Sequence, residues 1–310
     1  MKVDEEPMSR IHEALKKAQQ ERSAQGSASI DAIDPLDLPR PLPLSSVETF
    51  PTAKQAFYPE QDTGGLRYEE LIKKCVRTKF KIDPRMSVFE GQDEGNLGAE
   101  RFRTLRSRLY QIACSRTLRK LVITSTVPEE GKTFVVTNLA QSIVRQPERR
   151  VLLIDGDLRA SRLHLTLGAP RSPGLAEYLR GEADAYSVIQ MGENSNLGLI
   201  AGGKEVSNPS ELLLNERLKG LLDLVAPLFD WVILDAPPAL PVHDASIIAD
   251  LCDGVLFVVR AGVTDFEMAA KASADFQEKN LLGTVLNRVE RGAGYAGYYY
   301  VYPAGEQSKK

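Results

Sequence analysis

Three stretches of the sequence carry residue types that, at their spacing, could hold a phosphorylated ligand and a metal ion. The first is Val127-Pro128-Glu129-Glu130-Gly131-Lys132-Thr133, which follows the apolar run LVITST and precedes the helical segment FVVTNLAQSIVRQ. Strand, loop, Gly-Lys-Thr and helix in this order form the setting of a phosphate-binding loop. A helix N-terminus presents unpaired backbone N–H groups to an anion. A lysine there adds charge toward the β- and γ-phosphates, and a threonine hydroxyl can ligate Mg2+. Pro128, Glu129, Glu130, Gly131, Lys132, Thr133 and Phe134 are therefore the expected nucleotide contacts. The loop departs from G-x-x-x-x-G-K-S/T in one place, with Thr126 where the first glycine belongs. Glu129 also brings a carboxylate toward the phosphates, which weakens binding unless the side chain turns outward.

The second stretch is VLLIDGDLR, an apolar run ending in Asp155, Asp157 and Arg159. Carboxylates at i and i+2 just past a buried strand lie at the carboxyl edge of a sheet, where open α/β folds bind ligands. Their mutual repulsion is relieved by a hard cation such as Mg2+. A bland alternative for Asp157 is a helix cap. Arg159 could contact phosphate or organise Asp157. The third stretch, Trp231–Leu234 followed by Asp235-Ala-Pro237-Pro238, has the form of an apolar strand whose terminal carboxylate holds Mg2+ or its water. Thr133, Asp157 and Asp235 are the expected metal ligands.

These residues need strands to carry them. Apolar, β-branched runs recur at Leu121–Thr126, Val151–Ile154, Trp231–Leu234, Val255–Val259 and Thr284–Leu286, with helical spacing between them. Uniformly apolar short strands alternating with helices indicate a doubly wound, mostly parallel α/β sheet covered on both faces, here over residues 95–292. Residues 1–23 read as an amphipathic helix. Residues 24–65 read as an extended linker, since seven prolines fall in the first 60 positions. Residues 66–94 read as a connecting segment carrying Lys73, Lys74, Arg77, Lys79 and Lys81, either a solvated face or a docking surface. Residues 293–310 form a tail in which Tyr295, Tyr298, Tyr299, Tyr300 and Tyr302 stand among Gly, Ala and Pro.

The net charge of −3 argues against nucleic-acid binding through a broad positive field. Cys75, Cys114 and Cys252 lack any zinc spacing and read as reduced thiols. No apolar run is long enough to span a bilayer, so the expected location is cytoplasmic, with any membrane association supplied by a partner.

Taken together, the Gly-Lys-Thr loop, the Asp155-x-Asp157-x-Arg159 stretch and the Asp235-x-Pro-Pro stretch resemble the bacterial tyrosine kinases of capsule and exopolysaccharide synthesis, relatives of the MinD/ParA ATPases. The likeness takes in Asn208-Pro-Ser-Glu-Leu, Asp253 to Thr264 and Val285-Leu-Asn287-Arg. It implies an ATP- and Mg2+-dependent tyrosine autokinase. Lys132, Asp155, Asp157 and Asp235 would be catalytic, with Asp155 accepting the tyrosine proton, and Arg159 and Asn287 would lie near the nucleotide. The tail tyrosines would be the phospho-acceptors. Glu100, Arg103 and Arg106, spaced E-x-x-R-x-x-R on one helix, would mediate subunit contacts in a homo-oligomeric ring. The resemblance also implies a separate membrane activator of the chain-length-regulator type, a cognate tyrosine phosphatase, and a peripheral place at the inner membrane. An ATPase switch without kinase activity and a nucleotide-binding scaffold are the alternatives.

Overall fold

The computed structural model of the chain describes residues 67–89, 97–193 and 196–289. Among these residues eight strands form one sheet: β1 (Val76–Thr78), β2 (Lys120–Ser125), β3 (Val151–Asp155), β4 (Ile189–Gly192), β5 (Leu197–Ile200), β6 (Trp231–Asp235), β7 (Gly254–Arg260) and β8 (Leu281–Asn287). Their spatial order is β1-β4-β5-β3-β6-β2-β7-β8. Every neighbouring pair is parallel except β4–β5, which is antiparallel. The central strands read as unbroken apolar runs because helices cover both faces. Every residue of β3 and of β6 is buried, as is all of β2 after Lys120.

The helix that follows β2 is α3 (Lys132–Val144), preceded in the chain by α1 (Tyr68–Lys74) and α2 (Leu97–Ser115). Ten of the thirteen residues of α3 are buried, as expected of a helix covered by a second layer. That layer is α2, whose Phe102 meets Phe134 of α3 edge-on at 6.0 Å between ring centroids. Phe102 and Leu109 are buried on α2 as its apolar stripe requires, together with Ala99 and Ala113.

The sheet begins earlier than the sequence reading placed it. β1 pairs with β4, with Val76 opposite Gln190 and Thr78 opposite Gly192. Leu71 of α1 has no solvent exposure and belongs to the main core with Cys75. Tyr68 packs edge-on against Phe229 at 5.9 Å, and the Arg150 guanidinium lies 3.7 Å from its ring centre. Residues 67–78 are thus part of the α/β fold and not a connecting segment. A three-residue edge strand whose side chains are largely exposed offers no apolar run by which to recognise it. The basic run is correspondingly partitioned. Lys73 and Lys74 close α1, where cations favour the helix dipole, and Arg77 donates to the Glu193 carbonyl at 2.9 Å.

The three cysteines are free, Cys75 and Cys252 buried and Cys114 exposed. Among the described residues no helix is long and apolar enough to cross a membrane. The expected N-terminal helix, the linker and the tail tyrosines Tyr295 to Tyr302 lie outside the described residues.

Candidate functional site

Sheet order brings the three chemical stretches together. β6 lies between β3 and β2, so Asp155 and Asp235 are register partners at the carboxyl ends of adjacent strands, and the phosphate-binding loop leaves the next strand over. The Gly156 N–H donates to the Asp235 carbonyl at 2.8 Å, extending the pairing past the strand ends. From the start of α3, Thr133 Oγ1 donates to Asp235 Oδ2 at 2.6 Å. Lys132, the first residue of α3, is 9% exposed.

The loop itself depends on Gly131. Its φ is 97°, a left-handed conformation at the cap of α3, and a Cβ there would fall 2.1 Å from Asn287 Nδ2. Only glycine meets both demands. The first-turn N–H groups of α3 have no partners within the helix and remain for an anion. Pro128 and Glu129 are exposed, and Glu129 adopts φ 66°. The Glu129 side chain is open to solvent, which screens its charge. Phe134 turns its ring to Phe102, so only its backbone is left to the cradle.

Asp155 has no solvent exposure. Its Oδ2 accepts hydrogen bonds from Ser161 Oγ at 2.7 Å and from the Leu163 N–H at 3.0 Å. Asp155 Oδ1 and Asp235 Oδ1 are both buried without a hydrogen-bond partner. Burial, reinforced by the Asp235 charge, pushes the Asp155 carboxyl up to about 7. Burial also raises Asp235 to about 6, against the opposing pull of Lys132 and the Thr133 hydroxyl. Two orphaned carboxylate oxygens beside a threonine hydroxyl are hard oxygen donors and fit Mg2+. Among the described residues no three His, Cys, Asp or Glu side chains converge as a ready-made cage. That also suits Mg2+, which commonly takes one or two protein ligands and completes its shell with waters and phosphate oxygens. Asp157 is 8% exposed and commits one oxygen to the Ala160 N–H at 3.0 Å, capping its own turn.

Three of the expected contacts have strong partners within the protein. Arg159 feels the Asp157 charge, but its hydrogen bonds go elsewhere. It forms a two-pronged pair with Asp244, Nε to Oδ2 at 2.7 Å and an Nη to Oδ1 at 3.2 Å, and it also donates to Ser210 Oγ at 2.9 Å. Asp244 is fully buried and accepts from Ser210 as well. One carboxylate thereby ties the Asp157 loop to the Asn208-Pro-Ser segment and to the start of the helix after β6. The Glu130 side chain is buried within the protein, accepting from the Val127 N–H at 2.8 Å, the Arg260 N–H at 3.2 Å and the Thr264 hydroxyl. Asn287 Nδ2 donates to the Glu130 carbonyl at 2.8 Å. Glu130 and Asn287 hold the loop from behind. Asp244, Ser161 and Thr264 were not singled out from sequence, because a buried acceptor 85 residues from its arginine leaves no local pattern.

On α2, Glu100 and Arg103 form an ion pair that is half in solvent. Arg106 turns inward and donates to the Ser142 carbonyl of α3, and burial lowers its pKa. The expected three-residue interface row is therefore split between the surface and the α2–α3 contact.

Comparison with known proteins identifies the family. Residues 121–299 match the CobQ/CobB/MinD/ParA nucleotide-binding domain family. Tyrosine-protein kinase YwqD of Bacillus subtilis is 33% identical over 208 residues, covering 66% of this chain and 87% of that relative. Tyrosine-protein kinase ptk of Acinetobacter johnsonii is 34% identical over 225 residues, covering 72% of this chain and 30% of the relative. The chain thus spans most of one curated relative and about a third of the other. The solved kinase domain of Escherichia coli tyrosine kinase ETK superposes with a TM-score of 0.64 at 31% identity, covering 77% of this chain and 96% of that domain. On the family match over residues 121–299 and the 33% identity to a kinase of which it covers 87%, the chain belongs to the bacterial tyrosine-kinase branch of the CobQ/CobB/MinD/ParA nucleotide-binding family.

Proposed function

We propose that the chain is an ATP- and Mg2+-dependent protein-tyrosine autokinase that phosphorylates its own C-terminal tyrosines and regulates exopolysaccharide or capsule synthesis. The observation that carries the reading is the Thr133–Asp235 hydrogen bond beside two buried, unpartnered carboxylate oxygens at the mouth of a Gly-Lys-Thr loop. Phosphoryl transfer is dominated by positioning and charge stabilisation, and this set supplies both. Lys132 and the first-turn N–H groups of α3 orient and neutralise the β- and γ-phosphates. Thr133, Asp235 and Asp157 would hold Mg2+, which would supply screening of the charge that develops on the phosphates. The tyrosine oxygen forms the new bond to the γ-phosphorus as the bond to the ADP oxygen breaks.

Asp155 takes the hydroxyl proton. A carboxyl raised to about 7 suits a group that must accept a proton near neutrality. Since it has no exposure here, the Gly156–Arg162 turn has to part before a hydroxyl reaches it. The acceptors are Tyr295, Tyr298, Tyr299, Tyr300 and Tyr302, presented between subunits of a homo-oligomer to which the exposed Glu100–Arg103 pair contributes. A membrane activator of the chain-length-regulator type brings the kinase to the inner membrane, and a cognate tyrosine phosphatase resets it.

The test is anti-phosphotyrosine signal on purified protein incubated with Mg2+ and ATP. The wild type should label and Lys132→Met should not. An unchanged signal in Lys132→Met refutes the catalytic assignment.

A further inference from the structure

Glu130 is buried in the phosphate-binding loop at 1% exposure, yet among the described residues no cationic side chain pairs with it. Its carboxylate collects three donors from three places: Val127 within the loop, Arg260 at the end of β7, and Thr264 beyond the following turn. Its own carbonyl is held by Asn287 at the end of β8. β7 and β8 lie on one side of β2, the strand from which the loop emerges. On the other side, the Ala239 and Leu240 N–H groups donate to the Ser125 and Thr126 carbonyls at 2.8 and 3.2 Å. The base of the loop is consequently strapped on both flanks, and Glu130 is the strap on the β7–β8 flank.

Such a strap answers a specific need of this sequence. Thr126 replaces the loop's first glycine and is fully buried with its Oγ1 unpartnered. Glu129, not a glycine, occupies the left-handed region at φ 66°. The left-handed Glu129 backbone and the unpartnered buried Thr126 hydroxyl each raise the free energy of the loop as folded. Three partly buried hydrogen bonds to one carboxylate act in the opposite direction. There is a consequence for the ligand as well. The Val127 N–H is occupied by Glu130, so the N–H groups left for phosphate are those after it, on the approach to α3.

We propose that Glu130 is a positioning residue for nucleotide binding, pre-forming a phosphate cradle that lacks the customary first glycine. This rests on the nucleotide-site part of the function proposed above and is independent of tyrosine as the acceptor. Without the strap the cradle is formed only part of the time, and apparent affinity falls in proportion to that fraction.

The experiment is calorimetric titration of full-length protein with ADP in the presence of Mg2+. Glu130→Ala should raise the dissociation constant by about tenfold or more, corresponding to a cradle formed roughly a tenth of the time. Glu130→Gln, which keeps an acceptor for the Arg260 and Thr264 donors, should recover part of the loss. Thr264→Val should weaken binding in the same direction by a smaller factor. A Glu130→Ala protein with native circular dichroism and a dissociation constant within about twofold of wild type overturns the proposal. Should Glu130→Ala fail to fold, Thr264→Val decides by the same criterion, with an unchanged constant overturning it. Because the readout is ADP binding, a failure here leaves the phosphotyrosine result on Lys132→Met untouched, and the converse also holds.

Discussion

Asp155→Asn should make the nucleotide-free protein more stable while abolishing phosphotyrosine formation. Asp155 and Asp235 are register partners with carboxyls raised from 3.8 to about 7 and about 6, chiefly by burial. A group whose folded pKa lies above its unfolded value contributes its full share of stability below the unfolded value. That share is lost as the pH rises through the folded one. The pair therefore costs the native state little near pH 4, progressively more as the pH rises toward 6 and 7, and a constant amount above that. For Asp155 the displacement is about three pKa units at roughly 1.4 kcal/mol each, an upper bound of ~4 kcal/mol above neutrality. Part of that is shared with Asp235, so removing one charge should recover about 2–4 kcal/mol. Asparagine preserves the fit, since its carbonyl oxygen can still accept from Ser161 and Leu163. Urea unfolding without nucleotide at about pH 8 and about pH 5 measures the effect directly. Asp155→Asn should show the higher midpoint at the alkaline pH, and the gap should shrink to about a third to a half at the acid one. Equal or lower stability of the variant at alkaline pH, or a gap indifferent to pH, would refute the claim that these carboxylates are held at a cost to the fold.

Other outcomes follow from contacts already described. Arg159→Ala should destabilise by about 3 kcal/mol and by more than Asp244→Ala, because it strands a buried carboxylate, whereas the reverse change leaves a half-exposed guanidinium that water can solvate; urea midpoints in the opposite order count against this. Leu71→Ala should cost about 2–4 kcal/mol in the same assay, as for any fully buried core leucine. A chain starting at residue 67 should keep a cooperative thermal transition that a chain starting at residue 95 loses or shows well below it, since the latter lacks β1 and Leu71. Deleting residues 293–310 should leave ADP binding intact and remove most phosphotyrosine from the chain on intact-mass measurement.

The parts of the fold most visible in the sequence were those whose physics is local. β2, β3 and β6 are buried on both faces, so each appears as a short apolar run, and the two that end in Asp announce the site. β1, β4 and β5 escaped because they are three or four residues long, and β1 is largely exposed. In the site, Lys132, Thr133 and Asp235 could be placed by spacing alone. The orientations of Glu130 and Arg159 could not. Glu130 is satisfied mainly by backbone N–H groups, which carry no residue signature, and Arg159 by Asp244, far away in sequence. A motif match identified both residues as near the nucleotide, and only the partners across the sheet show that each acts on the frame of the site.

The register between β3 and β6 has a bearing on how such a protein can diverge. The spacing of the two buried carboxylates is set by a ladder of backbone hydrogen bonds running from Val151–Trp231 to Asp155–Asp235 and on to Gly156. Sliding that ladder by one residue would turn every side chain of a strand to the opposite face, so intermediate spacings are closed to it. Loops around the site are free to change length and chemistry over generations while the carboxylate pair keeps one separation. Partners and acceptor sequences can then be exchanged at the periphery without retuning the centre.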